Sequence, residues 1–270
     1  MYRNPLKPIV IGVFLLALVP IAQAITFGQP DENNDYPNVG AMMVLGPNGM
    51  KYRICSGTLI APNVFLTAAH CTAGAAYRLG VPPDQVYVSF DQDPFEVSAT
   101  LHQGTYHLNP NYGHDKHDAN DVAVIILNTE INNITPADLP PAELLTEMQR
   151  NHELKSQKFV AVGYGALRND KTQGPGALVN WGPIYGERYF VEQTFLALEP
   201  YWLQISQNPS TGNGGTCFGD SGGPHFLVGT NMVVSLTANG DHWCRATDKT
   251  YRLDTYSARS YLSQFLPSLP

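Results

Sequence analysis

Three short stretches of the 270-residue chain carry side chains that could act together on a carbonyl carbon. In "TCFGDSGGP", Thr216–Pro224, Ser221 lies between Asp220 and a pair of glycines. A serine hydroxyl is a weak nucleophile at its own pKa. It needs a base to take its proton and N–H donors to hold the oxyanion that its attack creates. Gly219 and Gly222 leave the backbone around Ser221 open, so the N–H groups of Gly219 and Ser221 can converge on one point. In "LTAAHC", Leu66–Cys71, an apolar run ends at His70, where small alanines leave room for an imidazole. In "NDVAVIIL", Asn120–Leu127, Asp121 opens a continuous apolar run. A carboxylate carried inward on such a strand is costly unless paired. An imidazole N–H would pair it and fix the ring's tautomer.

The elements that must position these residues read as short strands. "VGAMMVL", "SGTLIAPNVFLTAA", "QVYVSF", "FEVSATL" and "DVAVIIL" fill the first half. "KFVAVGYG", "RYFVEQTFLAL", "YWLQIS", "PHFLVG" and "MVVSLTA" fill the second. All are rich in β-branched or aromatic residues and bounded by Gly, Pro, Asn and Asp. Asn132–Lys155, centred on "ITPADLPPAELL", reads as a linker between two halves. In "TYSARSYLSQFL", Tyr261, Leu262, Phe265 and Leu266 recur at helical spacing, which predicts a terminal amphipathic helix.

The N-terminus has the form of an export signal. Arg3 and Lys7 precede the apolar run Ile9–Val19, Pro20 follows, and Ala22 and Ala24 stand at small-residue cleavage positions. The run is shorter than the ~20 residues of a spanning helix. Cleavage after Ala24 is expected, which leaves residues 25–270 as an exported chain with no membrane partner. Residues 1–24 hold two cations and no acid, so the net charge of −7 becomes −9. That balance argues against nucleic acid or anionic lipid as partners. Four cysteines in an exported chain read as two disulfides, with three pairings open.

Taken together, the chain resembles the chymotrypsin- and trypsin-like serine proteases. "CSGTLIAPNVFLTAAHC" resembles the family's histidine segment, "NPNYGHDKHDANDVAVIIL" its aspartate segment and "TCFGDSGGP" its serine motif. "VAVGYG" is similar to the family's Gly-Trp-Gly strand, with Tyr164 in place of tryptophan. "VVSLTANG" and "TYRLDTYSARSYLSQFL" resemble the substrate-binding strand and the terminal helix. The resemblance implies an all-β fold of two packed six-stranded antiparallel β-barrels with a C-terminal helix. The barrels would span 25–140 and 141–270, with the site in the cleft between them. It implies a secreted serine endopeptidase, extracellular or periplasmic, acting through an acyl-enzyme on protein or peptide substrates. His70, Asp121 and Ser221 would form the triad, and Gly219 and Ser221 the oxyanion hole. It further implies a monomer without cofactor or metal, with a proteinaceous inhibitor as a conceivable partner. It pairs Cys55 with Cys71 and Cys217 with Cys244. The alternative is a non-catalytic homologue that uses the fold for binding. Covalent labelling of Ser221 separates the two.

In this family a freed N-terminus beginning Ile-Val-Gly-Gly folds inward and its ammonium pairs with the aspartate before the serine. "ITFG" matches at Ile25 and Gly28 and departs at Thr26 and Phe27. The pair would be Ile25 and Asp220, made by the same cut that removes the signal. The specificity pocket is expected to have Gly215 at its floor, followed by Thr216, with Ser235, Leu236 and Thr237 as the substrate strand. A floor without an acid implies an enzyme not specific for Lys or Arg. Lys249 is read as a solvated loop lysine, with an approach to the pocket, which would favour Asp or Glu, as the alternative. "HDKHD" (His114–Asp118) and the acids Asp91, Asp93 and Glu96 are weak metal patterns and are read as loop residues.

Overall fold

The computed structural model describes residues 25–114, 118–168, 178–179 and 182–270. The first barrel is built from β2 (Val39–Leu45), β3 (Lys51–Ala61), β4 (Val64–Thr67), β5 (Val86–Ser89), β6 (His102–His107) and β7 (Ala123–Leu127). These close in the order β2-β3-β4-β7-β6-β5. The second contains β8 (Lys158–Gly163), β11 (Tyr189–Leu198), β12 (Trp202–Ser206), β13 (Pro224–Leu227), β14 (Val233–Gly240) and β15 (Thr247–Arg252). Its order is β11-β12-β15-β14-β13-β8, and β8 closes it by pairing with β11. A separate hairpin joins β9 (Leu167–Arg168) to β10 (Leu178–Val179). The helices are α1 (Ala69–Ala73), α2 (Leu144–Arg150) inside the expected linker, and α3 (Tyr256–Leu262) near the C-terminus.

β2, β4 and β8 are buried along almost their whole length, so one face of each fills a barrel and the other packs against neighbouring elements. Met42, Leu59, Phe65, Val88, Tyr106 and Ile125 fill the first barrel. Phe159, Leu203, Ile205 and Val234 form part of the second barrel's interior, capped by Leu145 and Met148 of α2. One expected strand is absent. "FEVSATL" runs as turns, with Val97 almost fully exposed. Its apolar residues are too few to bury a face, and Asp91 and Asp93 draw the backbone into turns by accepting N–H bonds from Thr100 and Phe95. Two barrel strands were not anticipated, β6 and β15, because "HQGTYH" and "TDKTYR" are polar and hold their place by pairing on both sides.

The chain ends cross over between the barrels. β1 (Gln29–Pro30) pairs with β11, so the first described residues dock on the second barrel. α3 reaches back to the first, where the Tyr261 hydroxyl donates to the His107 carbonyl at 2.9 Å. Thr255 caps α3 by accepting from the Ala258 N–H.

Close approach of β2, β3 and β4 depends on Gly57, which pairs with Gly40. A Cβ there would overlap the Leu66 carbonyl oxygen and the Phe65 ring. Gly57→Ala is therefore expected to destabilise the fold by about 1–3 kcal/mol through overpacking. The measurement is a guanidinium unfolding midpoint, expected to fall with the slope unchanged. A midpoint equal to wild type would show that these strands part without cost.

Candidate active site

His70 lies in α1, one residue before Cys71, and Cys71 is bonded to Cys55 of β3. Its ring and its backbone are both held by Asp121. Asp121 Oδ2 is 2.8 Å from His70 Nδ1, and Oδ1 accepts the His70 backbone N–H at 2.8 Å. Asp121 is buried, while the His70 side chain is 29% exposed. Nδ1 faces the carboxylate, which leaves Nε2 as the free ring nitrogen. Burial pulls the His70 pKa down, and the charge and hydrogen bond of Asp121 outweigh this, so the net shift is upward.

Ser221 sits on a turn of the second barrel whose shape requires glycine. Gly219 and Gly222 have φ of +102° and +77°. A Cβ on Gly222 would collide with Thr67 Oγ1 and the Ser56 carbonyl, and one on Gly219 with the Arg53 guanidinium. The turn is tied to the first barrel through Ser56. Its N–H donates to the Ser221 carbonyl at 2.9 Å, and its hydroxyl donates to the Gly219 carbonyl at 3.0 Å. The Ser221 carbonyl is also 3.6 Å from Cys71 Sγ, beside His70. The serine turn and the histidine helix thus meet across the seam between the barrels.

A cavity of about 340 Å³ opens beside Ser221. Thr216 and Cys217 line one side and Thr237–Gly240 the other. A second hollow of about 230 Å³ lies beside His70 and is lined by Tyr77, Arg78 and Tyr112. The Cys217–Cys244 disulfide borders the first cavity, so both pairings implied by resemblance are present.

The expected substrate strand is displaced in register. Ser235 and Leu236 are fully buried, with Ser235 Oγ accepting from the Thr250 hydroxyl at 2.8 Å. A bulge between Thr237 and Asn239 turns Thr237, Ala238, Asn239 and Gly240 toward the cavity instead. Gly215 packs on Gln207 behind the cavity, and Thr216 reaches its surface. Lys249 points away. Its ammonium stands 4.7 Å from the Trp202 ring and 3.7 Å from Glu199.

Asp220 is completely buried. Its oxygens accept the N–H groups of Gly165 at 2.7 Å and Cys217 at 2.9 Å. Burial pushes its pKa up to about 6 against those bonds and the nearby Arg53. Arg53 escaped the sequence reading, although a cation within the otherwise uncharged stretch "YRICSG" is a visible signal. Ile25 is buried against Ala161, Leu167 and Tyr189. Thr26 and Gly215 exchange backbone hydrogen bonds of 2.8 and 2.9 Å.

Among the described residues, Cys55, His70 and Cys71 alone bring three potential metal-ligand atoms together, and both sulfurs are committed to a disulfide. Within "HDKHD", Asp115, Lys116 and His117 lie outside the described residues, and the His114 ring packs between Tyr77 and Tyr112. Lys51, whose ammonium donates to the Pro94 and Glu96 carbonyls, occupies the loop of Asp93 and Glu96.

Comparison with known proteins agrees with this architecture. The family model described as Trypsin matches residues 25–260. The fold and the matched length define a chymotrypsin-like serine endopeptidase, a hydrolase. The chain belongs to the trypsin family. It is 25% identical to CLIP domain-containing serine protease B4 of Anopheles gambiae over 84% of this chain, and spans 66% of that longer protein. It is 26% identical to "Trypsin, alkaline C" of Manduca sexta over 86% of this chain and 87% of the relative. It is 27% identical to a trypsin of Saccharopolyspora erythraea over 82% and 88%. The solved structure titled HL collagenase shares the fold at a TM-score of 0.64 and 18% identity, covering 89% of this chain and 97% of that one.

The His70 geometry makes a prediction that needs no substrate. A folded-state pKa raised above the unfolded value means that the protonated ring stabilises the fold fully below the unfolded pKa. That contribution is lost as pH rises through the folded one. An NMR titration of His70 is expected to have its midpoint above the ordinary 6.5. Asp121→Asn is expected to bring it below that value, because burial then acts unopposed. A wild-type midpoint at or below the ordinary value would contradict the pairing described here.

Proposed function

We propose that the protein cleaves peptide bonds in protein or peptide substrates through an acyl-enzyme on Ser221. The observation that carries this is His70 held at both Nδ1 and its backbone N–H by Asp121, beside the serine turn of a trypsin-family fold. Ser221 Oγ attacks the scissile carbonyl as His70 Nε2 takes its proton. The same proton passes to the leaving amine as the tetrahedral intermediate collapses, and water repeats the sequence on the acyl-enzyme. Asp121 keeps the ring in the tautomer that leaves Nε2 unprotonated and stabilises the imidazolium that forms. The N–H groups of Gly219 and Ser221 receive the oxyanion. Ser221→Ala is expected to lower kcat/KM by about 10⁴-fold or more, since nucleophile and base act as one unit. A variant that kept more than a few per cent of wild-type turnover would sink the mechanism. The residue before the scissile bond enters the cavity beside Ser221. With no charged side chain at Gly215, the pocket does not restrict cleavage to Lys or Arg. A strong, pH-independent preference for Arg over Leu in matched peptides would count against that.

The protein is exported, and removal of residues 1–24 both releases and activates it. Its new Ile25 ammonium pairs with Asp220. Burial of Ile25 and the Thr26–Gly215 ladder support this, because they dock the segment against the barrel that contains Asp220. A free α-amine titrates near ~8, and pairing with a buried carboxylate raises that value. The amine is therefore fully protonated below its unfolded pKa, and its contribution to the pair is lost as pH rises through the folded one. Activity should decline on the alkaline side, and one residue added before Ile25 should lower kcat/KM by about tenfold or more. The check is N-terminal sequencing of the active secreted protein together with that extended variant. An active mature enzyme beginning elsewhere than Ile-Thr-Phe-Gly would refute single-cut activation.

A further inference from the structure

Behind the cavity beside Ser221 lies a cluster of buried polar groups that the mechanism does not use. Asp248, His225 and Gln193 are fully buried and Gln207 is 1% exposed. Each retains one atom with no hydrogen-bond partner in the protein: Asp248 Oδ1, His225 Nδ1, Gln193 Oε1 and Gln207 Oε1. Such groups are costly to leave unsatisfied, and their concentration behind one wall calls for a function. The wall itself connects them to the cavity. Thr237, which lines it, has Oγ1 at 3.0 Å from His225 Nε2. His225 Nε2 is 3.6 Å from Asp248 Oδ2, and Gln193 Nε2 donates to that oxygen at 3.2 Å. Thr216, on the opposite side of the cavity, lies against Asp248 and favours its ionised form. Asp248 also stands directly across the β14–β15 ladder from Gly240, another lining residue.

We propose that Asp248 determines selectivity at this pocket: its carboxylate, set one side chain behind Thr216 and Thr237, favours a cationic Lys or Arg side chain when ionised and an uncharged one when protonated. This rests on the protease reading above. Among the described residues, no cation contributes to the electrostatics of Asp248. His225, the titratable group that faces it from β13, is driven down to about 3 by burial and is neutral across the working range. Gln193 of β11 is uncharged, Asp220 adds repulsion, and Lys249 on the same strand is engaged at Trp202 and Glu199. Burial, opposed by Thr216 and Gln193, pushes the Asp248 pKa up to about 7, so its charge changes near neutrality. Two other ionisable residues line the cavity. The Asp241 carboxylate is occupied by the backbone N–H groups of Trp243, Arg245, Ala246 and Thr247. His242 lies against Phe218 and Trp243 and serves as the control residue in the test.

The test uses the secreted enzyme and two peptides that differ only by Lys or Leu before the scissile bond. The ratio of their kcat/KM values, followed from pH 5 to 9, cancels the titration of His70 that both share. It is expected to rise by about tenfold with a midpoint near 7, the effect of a unit charge at close range in a medium of intermediate dielectric. Asp248→Asn should hold the ratio at its low-pH value, and His242→Gln should leave the rise in place. A flat wild-type ratio overturns the proposal by itself, without reference to whether any variant folds. So does a rise that survives Asp248→Asn, or one that vanishes in His242→Gln. Cleavage of neither peptide would overturn the protease reading, and this inference with it.

Discussion

Ser56 commits all its polar atoms at the point where the barrels touch, and the geometry of the site follows from that commitment. Its N–H and hydroxyl hold the Ser221 and Gly219 carbonyls, its oxygen also accepts the Tyr164 N–H, and its carbonyl accepts the Thr67 hydroxyl. Ser56 is fully buried, so water cannot substitute for any of these partners. Its neighbour Cys55 is bonded to Cys71, which follows His70. The serine turn is therefore referenced to β3 by hydrogen bonds, and the histidine helix to the same strand by a covalent bond. Ser221 and His70 inherit their separation from one short piece of backbone.

The interior where the barrels meet also holds a buried charge pair. Arg188 is fully buried and places Nε at 2.7 Å from Asp31, while Nη1 donates to the Val39 and Phe90 carbonyls. A buried ion pair is weak evidence for stability, but removing one partner leaves the other uncompensated. Here the pair fixes how the barrels meet, since Val39 and Phe90 belong to the first and Arg188 leads into β11. Tyr164 belongs to the same arrangement. Its hydroxyl lies within hydrogen-bonding reach of the Val39 and Asp91 carbonyls and accepts from Arg188. The hydroxyl gives a reason for tyrosine where the resembled strand has tryptophan: it completes the coordination of a buried guanidinium.

What could be read from the sequence was what short range determines. β2, β8 and β11 coincide with runs rich in apolar, β-branched or aromatic residues, and α3 falls where a terminal helix was expected but ends at Leu262, ahead of Phe265 and Leu266. His70, Asp121 and Ser221 stood out because a polar side chain amid small or apolar neighbours has few structural uses. The failures share a different cause. β6 and β15 are polar strands fixed by neighbours remote in sequence. The register of β14 beside the cavity depends on the bulge after Thr237, which no residue type announces. Asp248, His225 and Gln193 were invisible as a group because they come from three strands and meet only when the barrel closes.

That closure also couples features that look separate along the chain. Gly215 exchanges hydrogen bonds with Thr26 on one side and packs against Gln207 on the other, and Thr216 follows it into the cavity wall. The Thr26 hydroxyl adds a third bond to the Gly215 carbonyl at 2.9 Å. A valine, the residue that the family pattern places second in its N-terminal motif, could not make this bond. Thr26 thus does more than fill a departure from the pattern. It anchors the backbone segment that carries Thr216, the residue that lies against Asp248. Whatever positions Ile25 and Thr26 must act on the shape and the charge of the pocket together, because a single run of backbone carries both.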